Sequence, residues 1–211
     1  MDFCTDYAIA QPLAGTGAMA LRHMFIRWPK GKWRSPRYQS AGLEEVLQRA
    51  IHESYGPGRY VGLVESDGGP DLELISFPDS RTALPATQTE AASLIRAWAD
   101  GTPLTGPVLP RPVILCCTDA KVNACCARYG FPIYKALREQ AGEAGFDVMQ
   151  TTHFGGCHFA PSVIVMPQRA RYGRLTPEEI PSFLETISQG RYYLPCFKGR
   201  PELSEAEQSA E

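Results

Sequence analysis

The stretch Pro112-Val113-Ile114-Leu115-Cys116-Cys117-Thr118-Asp119-Ala120-Lys121-Val122-Asn123-Ala124-Cys125-Cys126 decides how this chain is read. Its first five residues form a short apolar run of the kind that makes a strand buried on both faces. Two cysteine pairs then share one spacing, Cys116 with Cys125 and Cys117 with Cys126, each across eight intervening residues. Side chains alternate along a strand, so Cys116 and Cys117 face opposite ways. One pair can therefore address a common site. The other belongs in the core, where a free cysteine packs as a small hydrophobe.

Working outward, a helix is expected next, with Pro132 in its first turn and Ile133, Leu137 and Ala141 turned inward, ending near Gly142 or Gly145. Residues 146–151 and 162–166 read as strands, and 172–175 as a short third. Thr176, Pro177 and Glu179 carry the marks of a helix start: a capping hydroxyl, a proline at the first position and the acid that closes a capping box. Ile180, Phe183, Leu184 and Ile187 supply its inner face, and Gly190 ends it.

The preceding hundred or so residues pass through similar elements. Residues 19–28 are strand-like and stop at Pro29. Leu43, Val46, Leu47, Ala50 and Ile51 recur at helical spacing. Residues 59–65 and 72–77 read as strands separated by the turn Asp67-Gly68-Gly69-Pro70. Thr87 with Glu90 opens a second helix whose inner face is Ala91, Leu94, Ile95 and Trp98. The second half is thus β-α-β-(ββ)-α and the first, β-α-β-β-α, roughly repeats it; a βαβ unit followed by ββα is the core of a thioredoxin-like α/β fold. The expected organisation is two packed thioredoxin-like halves. Residues 1–104 form a half without a metal site, the Pro- and Gly-rich 101–112 segment is a boundary, 111–200 hold the second half, and 201–211 form a flexible acidic tail.

Composition narrows the function. The chain has 211 residues, 44% of them hydrophobic, enough to bury a proper core. A net charge of −2 gives no basis for nucleic-acid or anionic-membrane binding. The local basic run Arg27-Trp28-Pro29-Lys30-Gly31-Lys32-Trp33-Arg34 reads as a solvated turn with its tryptophans folded inward. No apolar run approaches the ~20 residues that span a bilayer, and the first residues lack the basic and apolar regions of a secretory signal. A reducing, cytoplasmic compartment is the expectation. There, clustered cysteines serve metals or catalysis rather than disulfides, and the odd count of seven agrees.

The second cysteine-bearing loop is His153-Phe154-Gly155-Gly156-Cys157-His158. His153 and Cys157 stand four apart around two glycines, which allow positive φ and a tight excursion. Two donors from each strand-ending loop make a plausible four-coordinate cage for zinc or an iron–sulfur cluster, although the spacing is not the usual zinc pattern. Reactive or buried thiols are the alternatives, and the C-x-x-C of disulfide exchange is absent. Cys4 and Cys196 stand alone and read as structural. His23 and His52 have no ligand partner in sequence, and no nucleophile–base–acid series can be assembled.

Residues 117–130, Cys117 to Gly130, resemble the first motif of the sucrase/ferredoxin-like family, and His153-Phe154-Gly155-Gly156-Cys157-His158-Phe159-Ala160 is similar to its H-x-G-G-H-x-[FY]-A motif. Pro12-Leu13-Ala14-Gly15-Thr16, the Trp28–Trp33 turn and Tyr172-Gly173-Arg174-Leu175 extend the likeness over nearly the whole chain. The resemblance implies a thioredoxin-like ferredoxin with one [2Fe–2S] cluster, an electron carrier rather than a catalyst, working between a reductase and an acceptor protein. Its ligands fall on Cys117, Cys126, His153 and Cys157, with His158 as the alternative to Cys157 and with Cys116 and Cys125 left to the packing. This chain carries cysteine at 157 where the family carries histidine, and Asp119-Ala120-Lys121-Val122-Asn123 replaces H-G-x-R-D. A third thiolate adds one negative charge, which places the expected reduction potential between a Cys₄ ferredoxin and a two-histidine cluster. The rival readings are a thiol-disulfide or peroxide reductase and a zinc-stabilised interaction module.

Overall fold

The computed structural model describes residues 3–8, 10–17, 19–65 and 69–210. A single helical turn, α1 (Cys4–Tyr7), opens it. The chain divides into two compact units, Ala20–Pro110 and, together, Met1–Met19 with Arg111–Glu211.

In the Ala20–Pro110 unit, β1 (Arg22–Arg27) is followed by α2 (Glu45–Glu53), β2 (Arg59–Glu65), β3 (Leu74–Phe77), β4 (Arg81–Ala83) and α3 (Gln88–Ala99). The strand order is β4-β3-β1-β2, with β1 parallel to β2 and the other pairs antiparallel. A parallel pair needs a crossover, which α2 supplies. Met24, Ile26, Val61 and Leu63 form one core with Leu47, Ala50 and Ile51 of α2 and Ala91, Ala92, Ile95 and Trp98 of α3. The Thr87 hydroxyl accepts from Glu90 N at 3.1 Å, as the cap signal predicts. Trp28 and Trp33 are buried, with the Trp33 indole donating to the Trp28 carbonyl at 2.8 Å. Asp67 and Gly68 of the anticipated turn lie outside the described residues.

The second unit repeats the path. β5 (Val113–Cys117), α4 (Ala124–Gln140), β6 (Asp147–Thr151), β7 (Ser162–Met166), β8 (Ala170–Gly173) and α5 (Ile180–Ser188) are followed by β9 (Phe197–Gly199) and α6 (Glu205–Ala210). Its strands run β6-β5-β7-β8-β9, with β5 parallel to β6 and antiparallel to β7. The two units share register as well as order. His23 faces Phe77 and Tyr60 as Val113 faces Met166 and Asp147, and Arg27 pairs with Val64 as Cys117 pairs with Thr151. Both β3 and β7 end at a cis proline, Pro78 and Pro167, two residues before a positive-φ residue, Ser80 and Arg169. Each unit is therefore thioredoxin-like by topology, and Arg27 is the positional counterpart of Cys117.

Three expectations need correction. Helix α4 starts at Ala124 with Asn123 as its N-cap, so Pro132 sits inside it rather than in its first turn. The cap decides this: the Asn123 side chain accepts from Cys125 N at 2.8 Å. The first residues belong with the second unit because their bonds go there. Thr5 Oγ1 donates to Ala160 O at 3.2 Å, Tyr129 Oη to Asp6 Oδ1 at 2.8 Å, and Gly17 N to Lys198 O at 3.0 Å. Finally, residues 201–211, read as a flexible tail, include α6. Its Gln208 is buried, accepts from Gly17 N at 3.0 Å and donates to Arg200 O at 2.9 Å. No helix among the described residues is long and apolar enough to cross a membrane.

Candidate metal centre

Strand β5 ends with its two cysteines on opposite faces. Cys116 joins the core with Ile133, Leu137, Val163 and Phe183, and burial pushes its thiol well above the ordinary range. Cys117, also buried, lies on the other face at the strand terminus. Helix α4 brings Cys126 to it. That cysteine is the third helical residue after the Asn123 cap, where backbone N–H groups and the helix dipole favour negative charge. The approach depends on a glycine: a Cβ on Gly130 would stand 2.1 Å from the Cys117 carbonyl oxygen. Only a residue without a side chain lets α4 lie this close to the end of β5.

His153 follows β6 and completes the group. Its Nδ1 is 3.4 Å from Cys126 Sγ and 3.9 Å from Cys117 Sγ, and the three donor atoms lie within 4.8 Å of one another. Two sulfurs and an imidazole nitrogen at this separation can hold a metal ion. The sulfurs are coupled: the Cys126 thiol donates to Cys117, which holds Cys117 below the ordinary thiol range against the opposing cost of burial. His153 and the Asp119 backbone N–H lower it further, and the same proton keeps Cys126 raised.

Asp119, 2% exposed, ties the two loops together. Its carboxylate accepts from His153 N at 3.2 Å and from Lys121 N at 3.0 Å. The Thr118 hydroxyl donates to Gln150 Oε1 at 3.0 Å, fixing the strand ends from which both loops leave. In the second loop Gly155 and Gly156 have φ of 94° and 75°, the positive values two glycines allow. Arg171, 3% exposed, donates to Phe154 O at 3.3 Å with its guanidinium 5.5 Å from the Phe154 ring centroid, and the Ser162 hydroxyl donates to Gly156 O at 3.0 Å. Asp119, Arg171 and Ser162 did not stand out in the sequence. Asp119, set inside the Cys117–Cys126 interval, was the one open to suspicion.

Of the proposed ligands, Cys117, Cys126 and His153 come together, whereas Cys157 does not join that group. Cys157 opens a short 3-10 turn, Cys157–Phe159, and is half-buried, close enough for its charge to act on Cys126 and on Lys198. His158, the next residue, is exposed. Cys125 is buried beside Cys126. Cys196 is buried with its sulfur 3.6 Å from Glu179 Oε1, and burial pushes its thiol up to about 12. His23 is enclosed on β1 against Phe25 and Tyr60, while His52 is exposed beside Tyr38. The Cys4 side chain lies outside what is described.

A model of the Sucrase/ferredoxin-like family matches residues 13–199 of the chain. Among solved structures, a thioredoxin-like [2Fe–2S] ferredoxin from Aquifex aeolicus is similar at 16% identity and a TM-score of 0.39, over 44% of this chain and 94% of that one. A second structure of that wild-type ferredoxin gives the same identity and TM-score, over 44% and 100%. Human ERp44 in its zinc-bound form is similar at 8% identity and a TM-score of 0.27, over 83% of this chain and 56% of that one. No curated protein matches the chain.

Proposed function

The chain belongs to the sucrase/ferredoxin-like family, and from that premise we propose that it is a one-electron carrier with a [2Fe–2S] cluster in its second unit. The observation that carries the reading is the convergence of Cys117, Cys126 and His153 within 4.8 Å. Their chemistry fits such a group: two cysteines supply thiolates, of which Cys117 is already biased toward that form, and a neutral imidazole supplies nitrogen. Cys157 is the proposed fourth ligand, reached by movement of a loop whose backbone turns at two glycines. When bound, a [2Fe–2S] cluster supplies one-electron oxidation and reduction.

The chain's own residues do the rest. Asp119 holds the His153 backbone and Asn123 caps the helix that presents Cys126. Arg171 and Ser162 anchor the second loop through its carbonyls. Fixed partners of this kind orient ligands and set their basicity. A reductase as donor and a second protein as acceptor are the partners this function requires.

Zinc is the second reading, because two cysteines and a histidine at this separation also suit a tetrahedral ion. Anaerobic purification followed by visible absorption, EPR of the reduced protein, and iron, sulfide and zinc counts separates the two. The proposal expects a coloured protein with iron and sulfide in equal amounts. A colourless protein that carries zinc, and stays colourless after reconstitution with iron and sulfide, overturns it.

A further inference from the structure

Residues 3–8 precede the stretch that the family model matches, and none of the sequence motifs includes them. They nevertheless bond to both elements that bring ligands to the metal centre. The Tyr129 hydroxyl, about one helical turn beyond Cys126 on α4, donates to Asp6 Oδ1 at 2.8 Å, and the Phe3 ring meets the Tyr129 ring edge-on at 5.6 Å. On the other side, α1 lies against the Cys157–Phe159 turn. There Thr5 Oγ1 donates at 3.2 Å to Ala160 O, the first carbonyl past that turn. Arg174 fastens the end of the segment to the same place. Its Nη2 donates to Ala8 O, while its backbone N donates to Phe159 O at 3.0 Å.

Hydrogen bonds, more than packed apolar surface, make this attachment. A cavity of about 340 Å³ lies among Thr5, Asp6, Tyr129, Ile133, Ala160 and Pro161, and Tyr7 is turned to solvent, 74% exposed. The two ends of the second metal-binding loop differ as a result. Gly155 and Gly156 have positive φ, and a Cβ built on Gly155 would meet nothing within 4 Å, so this end has room to turn. The far end is tied through Ala160 to α1, and through Asp6 and Tyr129 to α4. Cys157 stands between the pivot and the tether.

We propose that α1 is a strap tying the Cys157-bearing turn to helix α4, with Thr5, Asp6 and Tyr129 as positioning residues for the fourth ligand. The inference rests on the electron-carrier reading above. A ligand on a loop loose at both ends gives up conformational freedom when it binds, and that cost comes off the affinity. With one end held, Cys157 swings about the two glycines through a narrower set of positions, and less freedom is lost. The strap thereby makes a segment more than a hundred residues away in sequence part of the metal centre.

The test uses the full chain with Thr5→Val and Tyr129→Phe together, which removes both hydroxyl donors with little change of volume. Thr5→Ser is the variant that keeps a donor. In the metal-free protein, hydrogen exchange read by mass spectrometry is expected to run about tenfold faster in the peptide spanning 157–160 of the double variant, with β7 unchanged. In the iron-loaded protein, loss of iron to EDTA is expected to quicken about tenfold, a typical effect of removing the outer partners of a metal ligand. The EPR g values of the reduced double variant are expected to move in the direction that Cys157→Ser moves them, a signature that a general loss of stability does not produce. Thr5→Ser is expected to match the unsubstituted chain in all three measurements. Should the double variant not fold, Thr5→Val alone makes the same comparison. Unchanged exchange across 157–160 overturns the strap, whatever the iron does. Faster exchange with unaltered iron loss and g values overturns the positioning role. Faster exchange in a chain that takes up no iron even when unsubstituted upholds the tether and sinks the electron-carrier reading instead.

Discussion

The two units run one topology through one register and end the same strand differently. Where β5 closes with Cys117, β1 closes with Arg27. Arg27 donates through Nε to Glu73, an ion pair whose side chains are 14% and 17% exposed. Glu65 accepts from the Lys30 backbone nearby, and the loop that follows turns back on Trp28 and Trp33. Cys117 instead meets Cys126 and His153. The end of the central strand is thus a junction where two loops meet, and the residue placed there decides its use. With opposite charges the junction closes on itself. With soft donors it is able to take a metal ion.

Six substitutions would break or sharpen that contrast. The largest effect is expected from Cys126→Ala, which should abolish iron retention while Arg27→Met leaves it unaltered, read by iron per chain. If Arg27→Met also stripped the iron, the two junctions would not be independent. In the first unit, Arg27→Met leaves Glu73 facing a largely buried site without its partner and should cost about 3 kcal/mol in denaturant unfolding. Adding Glu73→Leu should recover most of the loss, because the penalty lies in the stranded charge. Gly130→Ala should cost about 2 kcal/mol, since α4 must retreat from the Cys117 carbonyl. It should also weaken iron retention, a coupling that no glycine of the first unit is expected to show. The smallest effects come from the helix caps the units have in common. Thr87→Ala and Thr176→Ala should each cost about 1 kcal/mol, with no change in iron content.

Much of this was legible in the residues because the signals were local. Thr87 with Glu90, and Thr176 with Pro177 and Glu179, mark helix starts that the structure contains. The apolar runs at 113–117 and 162–166 are strands. Alternation along the strand put one of Cys116 and Cys117 in the core without saying which, the family resemblance picked Cys116, and Cys116 is in the core. β4 and β9, three residues each, are too short to show a period, and they exist because neighbouring strands pair with them. Pro132 was misleading for a physical reason: inside a helix it forfeits one hydrogen bond, so it usually marks a start. In α4 the Asn123 cap and the burial of Ile133, Tyr134 and Leu137 outweigh that loss. At the centre itself, Cys117, Cys126 and His153 could be picked out because sulfur and imidazole are chemically distinctive. Arg171 and Lys198 could not, since a cation in a sequence reads as surface until its burial is known. The acidic end of the chain misled in the same way: Gln208 is held by Gly17 and Arg200, contacts that composition cannot reveal.

The most direct test of the account is Mössbauer spectroscopy of the anaerobically purified, ⁵⁷Fe-enriched full-length chain. Three thiolates and one imidazole around a [2Fe–2S] cluster leave the two irons with different donors, so the account predicts two distinct ferric doublets of equal area from an antiferromagnetically coupled, diamagnetic pair. One ferric signal of a single iron type, or no bound iron beside stoichiometric zinc, would contradict it.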